Sequence, residues 1–262
     1  MRQIDQTALF AKLLPIARRA GDAIMAIYQA GEIDFQQKVD QSPVTQADLA
    51  AHGVLVQQLG LLISDCPVVS EEDEISQRYR CTESCFWLID PLDGTREFIA
   101  RNGEFTVNIA LIEEGRSVLG VVYAPAMDCM YWGGPNLGAF RQTGADVQVI
   151  QVNSGGVNNV CRVVASKSHL NAETRAFIDR LGAVALLQVG SSLKFCRVAE
   201  GMADIYPRLA PTSEWDTAAA QAVLEGAGGM VVDLNGYPLR YGKPDVLNPP
   251  FIAVRDVTLI PA

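Results

Sequence analysis

The sequence predicts an α/β protein built as an α+β half followed by an α/β half. The chain opens with apolar residues at helical spacing, continues in short β-like runs, and then alternates strand with helix.

The opening helix is expected over 5–30, because Leu9, Leu13, Ile16, Ala20, Ile24 and Ile27 recur on one face and Gly31 supplies a stop. A second helix is expected over 46–62. Thr45 stands at its N-cap position with Asp48 three residues later, a capping-box pair, and Pro43 suits the turn that leads in. From Phe86 the pattern changes to short runs at 86–89, 105–112, 118–123 and 130–132, punctuated by Gly115 and Gly120, which predicts a mostly antiparallel meander. The polar stretch 151–159, with Gly155-Gly156, divides an N-terminal half (1–155) from a C-terminal half (156–262). The second half predicts strands at 160–165, 184–189 and 203–206 and helices at 172–181, 193–200 and 217–226.

Hydrophobic residues make up 49% of the chain and charged ones 19%, the balance of a folded domain with a large core. Every apolar run is broken by Arg, Asp, Glu or Gly before reaching the ~18 residues that a membrane span needs, so no integral membrane contact is expected. Asp5, Lys12, Arg18, Arg19 and Asp22 interrupt the N-terminal segment, which argues against a secretory leader and makes the cytoplasm the expected location. The formal net charge of −9 argues against general affinity for nucleic acid, although a local metal cluster can still draw a small anion into a cleft. The six cysteines form no C-x-x-C and read as buried free thiols of a reducing compartment; Cys81 and Cys85 are close enough to pair, but two histidines make a zinc site a poor reading.

The most informative segment is W-L-I-D-P-L-D-G-T at 87–95. An apolar strand ends at Asp90, Pro91 prevents continuation of the ladder, and a turn at Asp93-Gly94-Thr95 leads into a helix, so two carboxylates three positions apart converge at one corner. The N–H groups of Gly94 and Thr95 at the helix start would suit an anion. Oxygen ligands beside an anion site suit Mg²⁺. Val68-Val-Ser-Glu-Glu72 is a second strand ending in carboxylates, with Glu71 nineteen positions before Asp90, and Asp216 opens another helix in E-W-D-T-A-A. Carboxylates crowded to ~4 Å repel by ~4 kcal/mol per pair at an effective dielectric of 20, so a fold that gathers them calls for divalent cations. Asp48 could serve as nothing more than a cap, Lys194 as a solvated helix lysine and His169 as a loop histidine; His52 reads as structural.

W-L-I-D-P-L-D-G-T-R-E-F at 87–98 together with W-D-T-A-A at 215–219 resembles the lithium-sensitive, Mg²⁺-dependent phosphatase superfamily of inositol monophosphatase and fructose bisphosphatase, and the likeness extends over nearly the whole chain. The segments at 40–48, 101–111, 190–196 (G-S-S-L-K-F-C) and 206–208 (Y-P-R) are similar to its 3'(2'),5'-bisphosphate nucleotidase branch. The resemblance implies a layered α/β/α/β/α sandwich with the active site between the halves, hydrolysis of adenosine 3',5'-bisphosphate to AMP and phosphate, and action on its sulfated precursor as a related substrate. It implies two or three Mg²⁺ ions held by Glu71, Asp90, Asp93, Asp216 and the carbonyl of Leu92, with Asp90 bridging and Glu72 either a supporting partner or simply exposed. It implies that Thr95, hydrogen-bonded to Asp48, orients the attacking water, with Glu71 also at the chemistry. Ser191, Lys194, Arg208 and His169 would hold the substrate, alongside Gly94 and the metal ligands that border it. Some relatives lie peripherally on the inner membrane, but no basic amphipathic surface helix is evident, and monomer and homodimer both remain open. An inositol phosphatase or sugar bisphosphatase of the same superfamily is the nearest alternative, and a catalytically silent metal or nucleotide sensor is an alternative of another class.

Overall fold

The computed structural model describes residues 6–31, 35–37, 43–154, 160–168 and 170–261. In the N-terminal part, helix α1 (Gln6–Gln29) is followed by a small hairpin of β1 (Phe35–Gln37) and β2 (Pro43–Thr45), then α2 (Gln46–Leu59), β3 (Val68–Ser70) and the single turn α3 (Tyr79–Thr82). Next come β4 (Cys85–Asp93), α4 (Thr95–Ile99), β5 (Thr106–Glu113), β6 (Arg116–Ala124), β7 (Cys129–Gly134), β8 (Gly138–Thr143) and β9 (Asp146–Val149). The remainder is β10 (Cys161–Ser166), α5 (Ala172–Arg180), β11 (Val184–Val189), α6 (Leu193–Ala199), β12 (Ile205–Arg208), α7 (Ala218–Gly226), β13 (Met230–Asp233) and β14 (Phe251–Val254).

Strands β3 to β9 pair in sequence order into a seven-stranded sheet, antiparallel except where β3 runs parallel to β4. The second sheet has the order β11-β10-β12-β14-β13. Period-two alternation explains how the layers stack. On β4, Trp87 and Ile89 face α1 and α2, whereas Phe86 and Leu88 face a central core shared with α6, α7 and the second sheet. On β14, Phe251 and Ala253 face that central core, while Ile252 and Val254 face α5 through Phe177 and Ile178. Helix, sheet, helix, sheet, helix is therefore the order of layers, as the resemblance implies.

Two glycines set how closely the helices approach β6. A Cβ on Gly21 of α1 would fall 2.4 Å from the Tyr123 ring, and one on Gly120 would fall 2.0 Å from the carbonyl oxygen of Ala219 on α7. Ala219 O belongs to helix backbone and has little freedom to retreat, so Gly120→Ala should cost about 3 kcal/mol, the upper end for overpacking. The expected fall in Tm is roughly 5–10 °C for a chain of this size, measured by calorimetry. An unchanged midpoint would mean that α7 can lift away from the sheet.

The first helix matches expectation, and the second ends at Leu59, three residues early. Strand β12 is displaced to Ile205–Arg208 and contains Pro207, which is tolerated because β10 pairs with it only at Val163↔Ile205 and no ladder N–H is needed beyond that point. Pro91 does not end its strand either: β4 runs through it to Asp93, with a register shift between Asp90 and Asp93. The cysteines are free, but the close pair is Cys66 and Cys85, with Sγ atoms 3.3 Å apart across the β3–β4 register; Cys81 instead donates to the Lys243 carbonyl. Among the described residues, no helix is long and apolar enough to cross a membrane.

Candidate metal centre and substrate cavity

The irregularity at Pro91 is what builds the site. Asp90 pairs with Asn108 and Asp93 with Thr106, so three steps along β4 match two along β5. One extra residue changes the parity of the strand, and two carboxylates that a regular strand would point to opposite faces come to share one. Pro91 sits inside this bulge, where its missing N–H leaves no ladder bond unmade.

Glu71 follows directly after β3, which lies beside β4, and its backbone N–H donates to the Ile89 carbonyl at 3.2 Å. Asp216 closes a single 3-10 turn (Glu214–Asp216) just before α7, where the Ser213 N–H donates to its Oδ2 at 2.8 Å. These elements bring carboxylate oxygens of Glu71, Asp90 and Asp216 within 4.8 Å of one another. Burial, together with the charges of Glu71, Asp93, Asp216 and Glu72, pushes the Asp90 carboxyl well above the usual range. Burial likewise raises Asp216 to about 8, with the neighbouring Asp93 and Glu71 adding to the effect. Crowded, desolvated oxygen donors of one sign fit a hard divalent cation.

Asp93 borders the same cavity but has other partners: Ser192 N–H donates to its Oδ2 at 2.6 Å and Asn108 Nδ2 at 3.3 Å. Burial raises it to about 6, tempered by Lys194 and by the Ser192 bond. Ser192 in turn donates to Asn108 Oδ1 and shares a bond with Thr106, so β5 and the start of α6 are tied behind Asp93. Thr106, Asn108 and Ser192 carry no local signal of a role, and only the pairing of β4 with β5 reveals one. Leu92 lines the cavity with its carbonyl accepting from Thr95 Oγ1 at 3.3 Å, and its N–H donates to Asp90 Oδ1 at 3.0 Å. Glu72 does not line the cavity; its N–H donates to Ser70 Oγ. His52 bonds Ser70 across α2 and β3, a structural placement.

Asp48 divides its two oxygens between two tasks. Oδ2 completes the capping box, accepting from Thr45 N at 2.7 Å and Thr45 Oγ1 at 2.6 Å. Oδ1 accepts from Thr95 Oγ1 at 3.4 Å. Capping thus holds the carboxylate, which is 2% exposed, in place behind Thr95. Gly94, with φ of 91°, makes the turn between Asp93 and Thr95 that a Cβ would obstruct at the Glu104 carbonyl, 3.2 Å away. The helix it opens has five residues, too short for a substantial dipole, so the attraction for an anion falls to side chains.

Those side chains form the opposite wall of a cavity of about 270 Å³. Lys194, on α6, is buried over the Tyr206 ring, and its Nζ donates to the Ser191 carbonyl. Desolvation, partly offset by Asp93, brings it down to about 8. Arg208 ends β12, donates to the Pro211 carbonyl and keeps a buried Nε with no partner. Ser191 holds a left-handed backbone, φ 47°, a conformation that costs a non-glycine residue about 1–3 kcal/mol and is found at ligand-holding positions. Glu97, Tyr206, Thr212 and Phe251 also line the space, although none was given a role of its own from the sequence. His169 lies outside the described residues.

Comparison with known proteins follows the same lines. The 3'(2'),5'-bisphosphate nucleotidase CysQ of Escherichia coli K12 is 49% identical over 238 residues, covering 90% of this chain and 95% of the relative. The Haemophilus influenzae protein of that name is 35% identical over 251 residues, covering 95% and 93%. The crystal structure of CysQ from Bacteroides thetaiotaomicron, described as a bacterial member of the inositol monophosphatase family, superposes with a TM-score of 0.85 at 39% identity over 96% of this chain and 98% of that one. The family model of the inositol monophosphatases matches residues 5–257, and with it the layers, the bulged strand and the gathered carboxylates find one explanation: this chain belongs to the inositol monophosphatase family, whose members are metal-dependent phosphatases.

Proposed function

We propose that this protein is a Mg²⁺-dependent phosphatase that hydrolyses the 3'-phosphate of adenosine 3',5'-bisphosphate to give AMP and phosphate, and that it also accepts the sulfated precursor of that nucleotide. The convergence of Glu71, Asp90 and Asp216 opposite the buried cations Lys194 and Arg208 carries this reading. The names of its bisphosphate nucleotidase relatives support the choice of substrate.

Glu71, Asp90, Asp216 and the neighbouring Asp93 and Leu92 carbonyl would hold two or three Mg²⁺ ions. Such ions, when bound, lower the pKa of water and neutralise charge on the attacking and leaving oxygens. Thr95 Oγ1 orients the water and accepts its proton as its own passes to Asp48 Oδ1; the water oxygen bonds to phosphorus as the bond to the 3'-oxygen breaks, and that oxygen takes a proton from solvent to leave as a hydroxyl. Lys194 and Arg208 hold the second phosphate, the lysine as a point charge and the arginine as a planar fork. Ser191 and His169 contact the nucleoside. Free cysteines suit a reducing, cytoplasmic setting.

The experiment is phosphate release from adenosine 3',5'-bisphosphate with and without Mg²⁺, beside inositol 1-phosphate. Faster turnover of the nucleotide, only with Mg²⁺, is expected; preference for the inositol phosphate would overturn the substrate assignment. Thr95→Ala should lower kcat by about 10²–10⁴-fold and leave KM nearly unchanged in initial-rate measurements. A raised KM with intact kcat would make Thr95 a binding residue alone.

A further inference from the structure

At 0% exposure, Glu214 is the most deeply buried charged side chain among the described residues, and it does not line the cavity. Each of its oxygens takes two donors. Oε2 accepts from Arg80 Nη1 at 3.0 Å and Gly242 N at 2.9 Å; Oε1 accepts from Lys243 N at 3.0 Å and Lys243 Nζ at 2.5 Å. A carboxylate has about four acceptor sites, so this one is saturated. Its backbone is held as well, with the N–H donating to the Val246 carbonyl and the carbonyl accepting from Thr217 Oγ1.

Glu214 opens the three-residue turn that Asp216 closes, and Arg80 lies nine positions after Glu71, on α3. The buried pair therefore joins the segment that presents Glu71 to the turn that presents Asp216, from behind the carboxylate cluster. The proposed cluster pushes those segments apart: Glu71 and Asp216 repel when ionised, and each raises the proton affinity of Asp90. A tie between their backbones opposes that separation.

We propose that Glu214 is a positioning residue for Asp216. Paired with Arg80, it locks the turn against the Glu71 segment, so that carboxylates from distant parts of the chain face one another before any cation arrives. The proposal rests on the metal-binding role given to Glu71, Asp90 and Asp216. Removing a partner that orients a metal ligand commonly weakens metal binding about 10–100-fold.

The test is calorimetric titration of the full-length protein with Mg²⁺, run on the parent, Glu214→Gln, Lys243→Met and Asp216→Asn. A Phe177→Leu variant, altered in the core under α5, controls for general destabilisation. Glu214→Gln should raise the Mg²⁺ dissociation constant about 10–100-fold, and the Mg²⁺ concentration for half-maximal rate should rise in step, with turnover recovered at high Mg²⁺. Phe177→Leu should lower Tm without moving either metal constant. Where Glu214→Gln leaves Arg80 unpaired and the protein fails to fold, Lys243→Met removes one donor from a half-buried side chain and should move the same constants several-fold in the same direction. An unchanged Mg²⁺ constant in the folded Gln variant, or in Lys243→Met where that is the one that folds, overturns the positioning role while leaving the metal site intact. A parent that binds Mg²⁺ no better than Asp216→Asn overturns the metal reading and the proposal together.

Discussion

Asp90→Asn should reduce phosphate release by roughly 10³-fold or more while leaving the metal-free protein at least as stable as its parent. The two expectations come from one fact. Asp90 is 2% exposed, and burial together with Glu71, Asp93, Asp216 and Glu72 disfavours its ionised form. Asparagine is nearly isosteric and keeps an oxygen to accept the Leu92 N–H, now 3.0 Å from Asp90 Oδ1. What disappears is a negative charge at the centre of the cluster. Without cations that loss relieves repulsion; with them it would remove the ligand proposed to stand at the centre. Calorimetry in chelator beside initial rates in Mg²⁺ separates the two. A Tm well below the parent's would assign lost activity to damaged folding, and turnover within about tenfold of the parent would remove Asp90 from the centre of the site.

The layers of the fold were legible where a single periodicity ran long enough. The opening helix carries its apolar stripe through about five turns, and the capping box at Thr45 and Asp48 marked the start of the second to the residue. Strands β1, β2, β8, β9, β13 and β14 were not read, and Pro43, expected in a turn, opens β2. β9 is exposed throughout and so lacks a buried face to produce alternation, while β13 and β14 are short and mostly apolar, without a two-residue period. The site was legible as a set of residue types but not as a geometry. D-P-L-D reads as a strand interrupted by proline, whereas the strand continues and uses the proline as the extra residue of a bulge. That outcome depends on the β5 partner, which local sequence does not contain.

The same dependence explains the supporting side chains that were missed. Asn108 reads as one more position in an apolar strand, yet it is opposite Asp90 and bonds both Asp93 and Ser192. Glu214 reads as an acidic residue beside a tryptophan, and only the folded chain brings Arg80 to it from 134 positions away. Ligands announce themselves by type and spacing; the groups that hold them in place are chosen by tertiary contact and carry no local signature.

Removal of the divalent cations should make stability fall as pH rises, and adding them back should abolish that dependence. Asp93 is raised to about 6 and Asp216 to about 8, each from 3.8, chiefly by burial. Near pH 4 the unfolded chain begins to release these protons while the folded chain still holds them. The folded state then binds more protons than the unfolded one, so its stability declines from about pH 4 until the folded carboxyls also ionise, near pH 8. Lys194, brought down to about 8, works in the opposite sense, but mainly above that pH. Cations bind the ionised carboxylates, so they compete with protons and bind more tightly as pH increases. The expected result is a gap between Mg²⁺-loaded and chelator-treated Tm that is small at pH 5 and widens steadily to pH 8, together with proton release on Mg²⁺ binding in the same interval. A gap that stays constant, with no protons released, would mean that Glu71, Asp90 and Asp216 are already ionised and separated in the metal-free protein, contrary to their placement within 4.8 Å of one another.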